Sequence, residues 1–190
     1  MFSMTVSVDG FVTDRAGDIG FSTPSDEVFH AHLEEVASLG AYLLGRRLYE
    51  MMRVWETDPA MRGTQAHAAF ADVWCDLPKV VFSRTIERVE GNARLATGSV
   101  AEEVAAALAS TDRDVSIGGP DLAGQAMRLG LVDELRVFRA PVVVGGGLPY
   151  LPSLDDPQRF ALVSARPFDN GIVLEHYRRN GTGSVTGTGR

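Results

Sequence analysis

Three short stretches of this 190-residue chain set glycine beside guanidinium or hydroxyl groups, a combination suited to holding a polyanion. The first is Gly45-Arg46-Arg47, where a short apolar run turns through glycine into a helical pattern. Cations at a helix N-terminus oppose its dipole at a cost of about 0.3–1 kcal/mol each when exposed. A bound anion reverses that sign, because backbone N–H groups and guanidinium forks then converge on it. The alternative is that both arginines point to solvent or pair with Glu50. The second stretch, Ile117-Gly118-Gly119-Pro120-Asp121 followed by Leu122, lets the backbone approach a ligand and leaves the N–H groups of the next helix open. It is also a common plain turn. The third, Ser83-Arg84-Thr85, follows an apolar run and suits a ribose phosphate as well as it suits a solvated loop.

Taken together, the three fit a dinucleotide, whose phosphates spread along its length. Arginine rather than an acidic residue favours a 2′-phosphate, hence NADPH over NADH. A hydride-transferring coenzyme needs no protein nucleophile, only positioning and one proton. Asp9, at the end of the first apolar run and next to Gly10, is the first catalytic candidate, to supply that proton or orient a substrate. Accepting backbone hydrogen bonds within its own turn is the competing role. Asp26 and Glu27 are second candidates, equally explained by the dipole of the helix they begin.

Other chemistries find little support. His30 and His32 lie two apart on a helical stretch, about 200° around it, so they cannot share a metal, and His67 and His176 have no ligand-spaced companions. No metal site is expected. There is no Walker lysine and no nucleophile elbow. Gly181-Thr182-Gly183 with Gly187 mimics a dinucleotide fingerprint at the wrong spacing. Cys75, the sole cysteine, reads as a small core residue and fits a reducing cytoplasm, while Met51 and Met52 read as core packing. Gly145-Gly146-Gly147 is either a flexible turn or a point of ligand approach. The net charge of −7 disfavours nucleic acid, and no apolar run nears the roughly 18 residues of a membrane span.

The elements that must position these groups follow from periodicity. Residues 2–11 alternate into a turn, and Ser25 caps a helix over about 26–39 with Val28, Phe29, Leu33 and Val36 inward and Gly40 at its end. A strand at 41–44 precedes a helix to about Val54, a loop and helix occupy 56–76, and strands follow at 78–83 and 94–97. A helix at 100–110, a strand at 114–117 and a helix at 120–129 with Pro120 in its first turn come next. From 135 to 147 a long strand is expected, broken at Pro141, and 159–167 with 171–178 form a hairpin. Residues 1–179 read as one α/β domain with a mainly parallel sheet, and 180–190 as a disordered tail.

SVDGF at 7–11, GRRLYE at 45–50, VVFSRT at 80–85, IGGPDLAGQAMRLGLVDEL at 117–135 and APVVVGGGLP at 140–149 occur in that order. In this the chain resembles the dihydrofolate-reductase-like superfamily, specifically the reductase domain of the riboflavin-biosynthesis deaminase–reductase and its stand-alone relatives. The resemblance spans about residues 4–178 and implies a three-layer α/β/α fold, a mixed sheet of roughly eight strands, NADPH as hydride donor and a homodimer in the cytoplasm. It implies a phosphate role for Gly45, Arg46 and Arg47, an adenosine-side role for Ser83, Arg84 and Thr85, and a pyrophosphate role for Gly118 and Gly119. Asp9 and Gly10 map beside nicotinamide and substrate. The implied activity is reduction of a small polar heterocycle or carbonyl, similar to 5-amino-6-(5-phosphoribosylamino)uracil. A non-catalytic dinucleotide-binding protein and a folate- or flavin-type reductase are the alternatives. Leu48 stands where such a Gly-Arg-Arg run often continues with threonine, Phe21 replaces a frequent tryptophan, and no Pro-Trp pair follows the first strand, which argues against folate. A phosphate on the substrate would need a basic group, for which Arg15 and Arg53 are available. Gly118→Val is expected at this stage to block the coenzyme while leaving stability near normal.

Overall fold

A computed structural model describes residues 1–180; the expected tail, apart from Asn180, lies outside the described residues. The strands are β1 (Phe2–Ser7), β2 (Leu39–Gly45), β3 (Lys79–Phe82), β4 (Ala93–Leu95), β5 (Asp114–Gly118), β6 (Glu134–Ala140), β7 (Phe160–Pro167) and β8 (Val173–Arg179). They form one sheet in the order β4-β3-β2-β5-β1-β6-β8-β7. Pairing is parallel from β4 through β6, and β8 and β7 join antiparallel. The helices are α1 (Asp26–Ser38), α2 (Arg46–Met52), the single turn α3 (Val54–Thr57), α4 (Gln65–Asp76), α5 (Val100–Ala109) and α6 (Pro120–Arg128).

Alternation along the strands divides the apolar side chains into two layers. On one face Val6, Ala41, Leu43, Val80, Ile117 and Val137 pack against Val104 and Ala107 of α5 and Leu122, Ala126 and Met127 of α6. On the other, Leu44 and Val81 meet Val36 of α1 and Phe70 and Trp74 of α4, while Phe138 meets Val28 and Ala31. The crossovers therefore leave the sheet on opposite sides. α1, after β1, and α2, after β2, go to one face; α6, after β5, goes to the other. Because β5 lies between β2 and β1, the chain reverses its sense of winding on both sides of β5. Such reversal opens a crevice at the carboxyl ends of parallel strands.

Side-chain caps set several helix starts. Ser25 Oγ accepts from the Val28 N–H, Thr64 begins α4 in the same way, and Ser99 and Glu102 form a reciprocal capping box on α5. Several expectations are corrected. Gly40 does not end α1; β2 begins at Leu39, and a Cβ at Gly40 would overlap the Thr111 side chain. The expected long strand stops at Ala140, since Pro141 has no N–H for the ladder and the chain beyond it pairs with the loop after β1. Met51 is exposed rather than packed, and Cys75 is half-buried beside the fully buried Trp74. The one lysine, Lys79, is buried: its ammonium donates to the Trp74 and Leu77 carbonyls at 2.5 and 3.0 Å and stands 3.2 Å from the Glu56 carboxylate.

The β4–α5 junction hangs on one carboxylate. Buried Glu103 accepts from Arg94 at 2.5 Å and from the Thr97 and Gly98 N–H groups at 2.7 and 3.1 Å. The Arg94 hydrogen bond, helped by the two amides, outweighs desolvation and lowers its pKa from 4.5 to about 2. A group depressed in this way stabilises the fold fully above its unfolded pKa and loses that contribution as pH falls from about 4.5 toward 2. Glu103→Ala should lower unfolding free energy by about 2 kcal/mol at pH 7, because two amides lose their partner. Urea titrations should find the difference from wild type shrinking as pH falls through that interval.

Candidate functional site

The carboxyl ends of β3, β2, β5, β1 and β6 share one rim, so Ser83, Gly45, Gly118–Gly119, Asp9 and Pro141 lie along it in that spatial order. Parallel registers put Gly45 opposite Phe82 and Leu44 opposite Gly118. At the crevice between β2 and β5 the two glycine corners meet. A Cβ on Gly119 would stand 3.8 Å from the Gly45 backbone, and one on Gly45 would stand 3.7 Å from the Gly118 carbonyl. Gly119 adopts φ +91°, a conformation that favours glycine, and caps α6 without a side-chain hydrogen bond. Pro120 has no N–H, leaving the amides of Asp121 and Leu122 at the open end of the helix. Leu122 has its side chain in the core and Asp121 is exposed, so Leu122 offers the rim only its backbone.

The β3 exit closes this corner. Ser83 Oγ accepts from the Thr85 and Ile86 N–H groups at 3.1 and 2.9 Å, which turns the loop toward α2. Arg46 then spans the gap, donating from Nε to Glu50 at 2.8 Å and from Nη1 to Thr85 Oγ1 at 2.5 Å. Arg47 and Arg84 are exposed and, among the described residues, make no side-chain hydrogen bond or ion pair. The structure thus brings together Gly45, Arg46, Arg47, Ser83, Arg84, Thr85, Gly118 and Gly119, with buried Ile117 serving as the strand residue beneath them.

Asp9 and Gly10 follow β1, the strand beside β5, and their contacts run to the other side, toward the loop after β6. The Asp9 carboxylate accepts the Val144 and Gly145 N–H groups at 3.2 and 2.8 Å. Desolvation pushes its pKa up, but hydrogen bonds from Ser7, Gly145 and Val144 together outweigh it and hold the pKa below the usual value. Both of its oxygens are engaged with these backbone amides, close to the competing role of accepting backbone hydrogen bonds. Its role is to fasten the loop after β1 to the loop after β6. Further bonds extend that seam: Val8 N–H to Val142, Val12 N–H to Leu148 and Tyr150 N–H to the Gly10 carbonyl, at 2.7–2.9 Å.

The Gly145–Gly147 run belongs to the same seam. Gly147, at φ +145°, lies so close to the Thr13 carbonyl that a Cβ would overlap it, so chain packing rather than ligand approach demands glycine there. Arg15 donates to the Gly145 carbonyl at 2.5 Å and Arg53 to Glu90 at 2.6 Å, so both proposed substrate-phosphate arginines are already engaged. Glu27 binds Arg166 and the Asp169 N–H, anchoring the β7–β8 turn. Two cavities flank the seam: one of about 180 Å³ beside Pro120 and Asp121, and one of about 440 Å³ between Val6, Val137, Phe160 and Tyr177. Among the described residues, no group of three or more histidine, cysteine or acidic side chains is placed to hold a metal. No helix among them is long and apolar enough to cross a membrane.

A mainly parallel eight-stranded sheet with an antiparallel C-terminal hairpin and glycine corners at its winding reversal defines an α/β domain of the dihydrofolate-reductase-like class. The chain belongs to the RibD C-terminal domain family, whose model matches residues 1–174. It is 26% identical over 184 residues to the uncharacterized protein YyaP of Bacillus subtilis, covering 95% of each chain. A putative riboflavin biosynthesis protein from Shewanella sp. PV-4 superposes with a TM-score of 0.74 at 22% identity, over 94% of this chain and 97% of that one. A pyrimidine reductase-like protein from Corynebacterium diphtheriae follows at 0.65 and 15% identity, over 94% and 90% of the two chains. The diaminohydroxyphosphoribosylaminopyrimidine deaminase/5-amino-6-(5-phosphoribosylamino)uracil reductase of Thermotoga maritima matches at 0.62 and 18% identity, over 94% of this chain and 56% of its own. The family is reductase-like, in keeping with the sequence resemblance.

One sequence expectation fails on packing. A Cβ at Gly118 would overlap the Leu48 side chain and come within 2.9 Å of the Tyr42 ring and hydroxyl. Gly118→Val therefore destabilises the fold by about 1–3 kcal/mol instead of merely blocking a ligand. Thermal melting of the variant checks this: an unchanged midpoint would show that the strand end absorbs the added bulk.

Proposed function

We propose that this chain is an NADPH-dependent reductase that delivers hydride to a small polar heterocycle or carbonyl, of the kind represented by 5-amino-6-(5-phosphoribosylamino)uracil. The observation that carries the reading is the meeting of Gly45 and Gly119 at the strand ends, on segments that also carry Arg47 and Arg84, two exposed arginines without a side-chain partner among the described residues. The Gly45 and Gly119 backbones leave room for a pyrophosphate beside the N–H groups opening α6, whereas Gly118 is covered by Leu48 and Tyr42. Arg47 and Arg84 answer to the 2′-phosphate, while Arg46 braces the corner. Bound there, NADPH would supply the hydride. The residues of this chain bind and orient, and the accompanying proton comes from water or substrate because Asp9 is committed to the loop seam. Steady oxidation followed at 340 nm with a panel of aminopyrimidines tests the assignment, and tight NADPH binding without turnover would favour a binding protein. Arg47→Ala with Arg84→Ala should weaken NADPH by about tenfold or more while changing NADH by less than threefold. Equal losses for both coenzymes would contradict the 2′-phosphate role.

The working form is a cytoplasmic homodimer in this reading. Seven of the eight residues of β7 are exposed and its outer edge is unpaired, with Leu162 57% and Val163 50% accessible. Leu162 pairs with Tyr177, so it projects on the same face as the 440 Å³ groove that Tyr177 and Phe160 line. One chain thus carries both an apolar ridge and an apolar recess, which suits two-fold association. Light scattering should find a dimer for wild type and a monomer for Leu162→Lys; a monomeric wild type would refute the assembly.

A further inference from the structure

Arg46 is the one rim arginine whose orientation the protein itself dictates. Its Nε is held by Glu50 one helical turn away, at 2.8 Å, and its Nη1 by Thr85 on the β3 exit, at 2.5 Å. Two elements are involved: α2, which carries both the arginine and Glu50, and the loop that Ser83 turns inward. With Nε and one N–H of Nη1 used, the second N–H of Nη1 and both of Nη2 remain, fixed in direction rather than free to sample rotamers. Tyr49, the neighbour of Glu50, adds stiffness: it is buried and its hydroxyl accepts the Glu90 N–H at 2.9 Å, so the segment bearing Glu50 is tied to the chain beyond β3.

A carboxylate beside an anion site is a liability on charge alone, since it repels the phosphate that the arginines attract. Its presence beside Arg46 therefore raises the question of a compensating gain. We propose that Glu50 is a positioning residue that acts through Arg46: it holds the guanidinium across the β2–β3 corner, so that the remaining donors meet the 2′-phosphate of the coenzyme already oriented, alongside Arg47 and Arg84. The inference rests on the coenzyme reading above and adds a residue that the glycine–arginine pattern did not single out. Thr85 takes part chiefly as the far end of this brace.

The two effects of Glu50 have opposite signs, which makes them separable. If it matters only as a nearby negative charge, removing it tightens NADPH. If it positions Arg46, removal loosens NADPH, because the side chain must then be immobilised on binding. Immobilising one long side chain corresponds to a loss of about three- to tenfold. The effect must also vanish without Arg46, as coupled residues are non-additive.

The experiment is a double-mutant cycle with Glu50→Ala and Arg46→Ala, reading dissociation constants for NADPH and NADH by calorimetry alongside a thermal melt of each variant. Expected is a loss of about three- to tenfold for NADPH on Glu50→Ala in the wild-type background. In the Arg46→Ala background the same change should cause no loss, and NADH should move by less than twofold in both. Thr85→Ser, which keeps the acceptor, should retain NADPH affinity within twofold, while Thr85→Val should repeat the loss. Tighter NADPH on Glu50→Ala, or equal losses with and without Arg46, overturns the positioning role even if wild type binds NADPH well. A wild-type protein that binds neither coenzyme overturns the reading of the crevice, and the brace with it.

Discussion

The rim depends on a winding constraint: β5 lies between two strands whose following helices leave for the opposite face of the sheet. Adjacent strands with connections on the same side would fill the space above their ends with chain. Here the connections diverge, and the Gly45 and Gly119 backbones are left facing each other. Glycine makes that approach possible for different reasons at each position. Gly119 needs its positive φ, Gly118 needs to avoid Tyr42 and Leu48, and Gly45 lies in ordinary contact distance of the Gly118 carbonyl.

Around this crevice the chain spends its polar groups on holding loops rather than on exposed chemistry. Asp9 and Arg15 lock the post-β6 loop, Ser83 turns the β3 exit, Glu103 gathers the β4–α5 junction, and Glu27 anchors the terminal hairpin. Each satisfies backbone groups that would otherwise be stranded at a strand end. Arg47 and Arg84, on the segments that form the corner, make no such contact among the described residues. In a chain with a net charge of −7, guanidiniums without an acidic partner are the groups available to an anion.

Much of the fold was legible because helices and strands announced themselves by period and cap. Ser25 and Pro120 mark starts that the structure confirms, and the order of apolar runs yields a mainly parallel sheet closed by a hairpin. Boundaries failed where a local signal had a tertiary use. Gly40 reads as a helix stop but is a strand residue against Thr111, and the valines after Pro141 read as strand but pair with the loop after β1.

The site divides along the same line. Residue types and spacing determined which corners carry glycine and arginine, since a bare turn before a helix is a property of a few consecutive residues. Which arginine is free and which is clamped was decided only by tertiary structure, because Arg46 meets Thr85 across 39 positions of sequence. The same holds for Asp9, whose partners lie 135 and 136 residues away. A side chain's chemical task depends on what else reaches it, and contacts between distant segments exist only once the sheet has set its strand order.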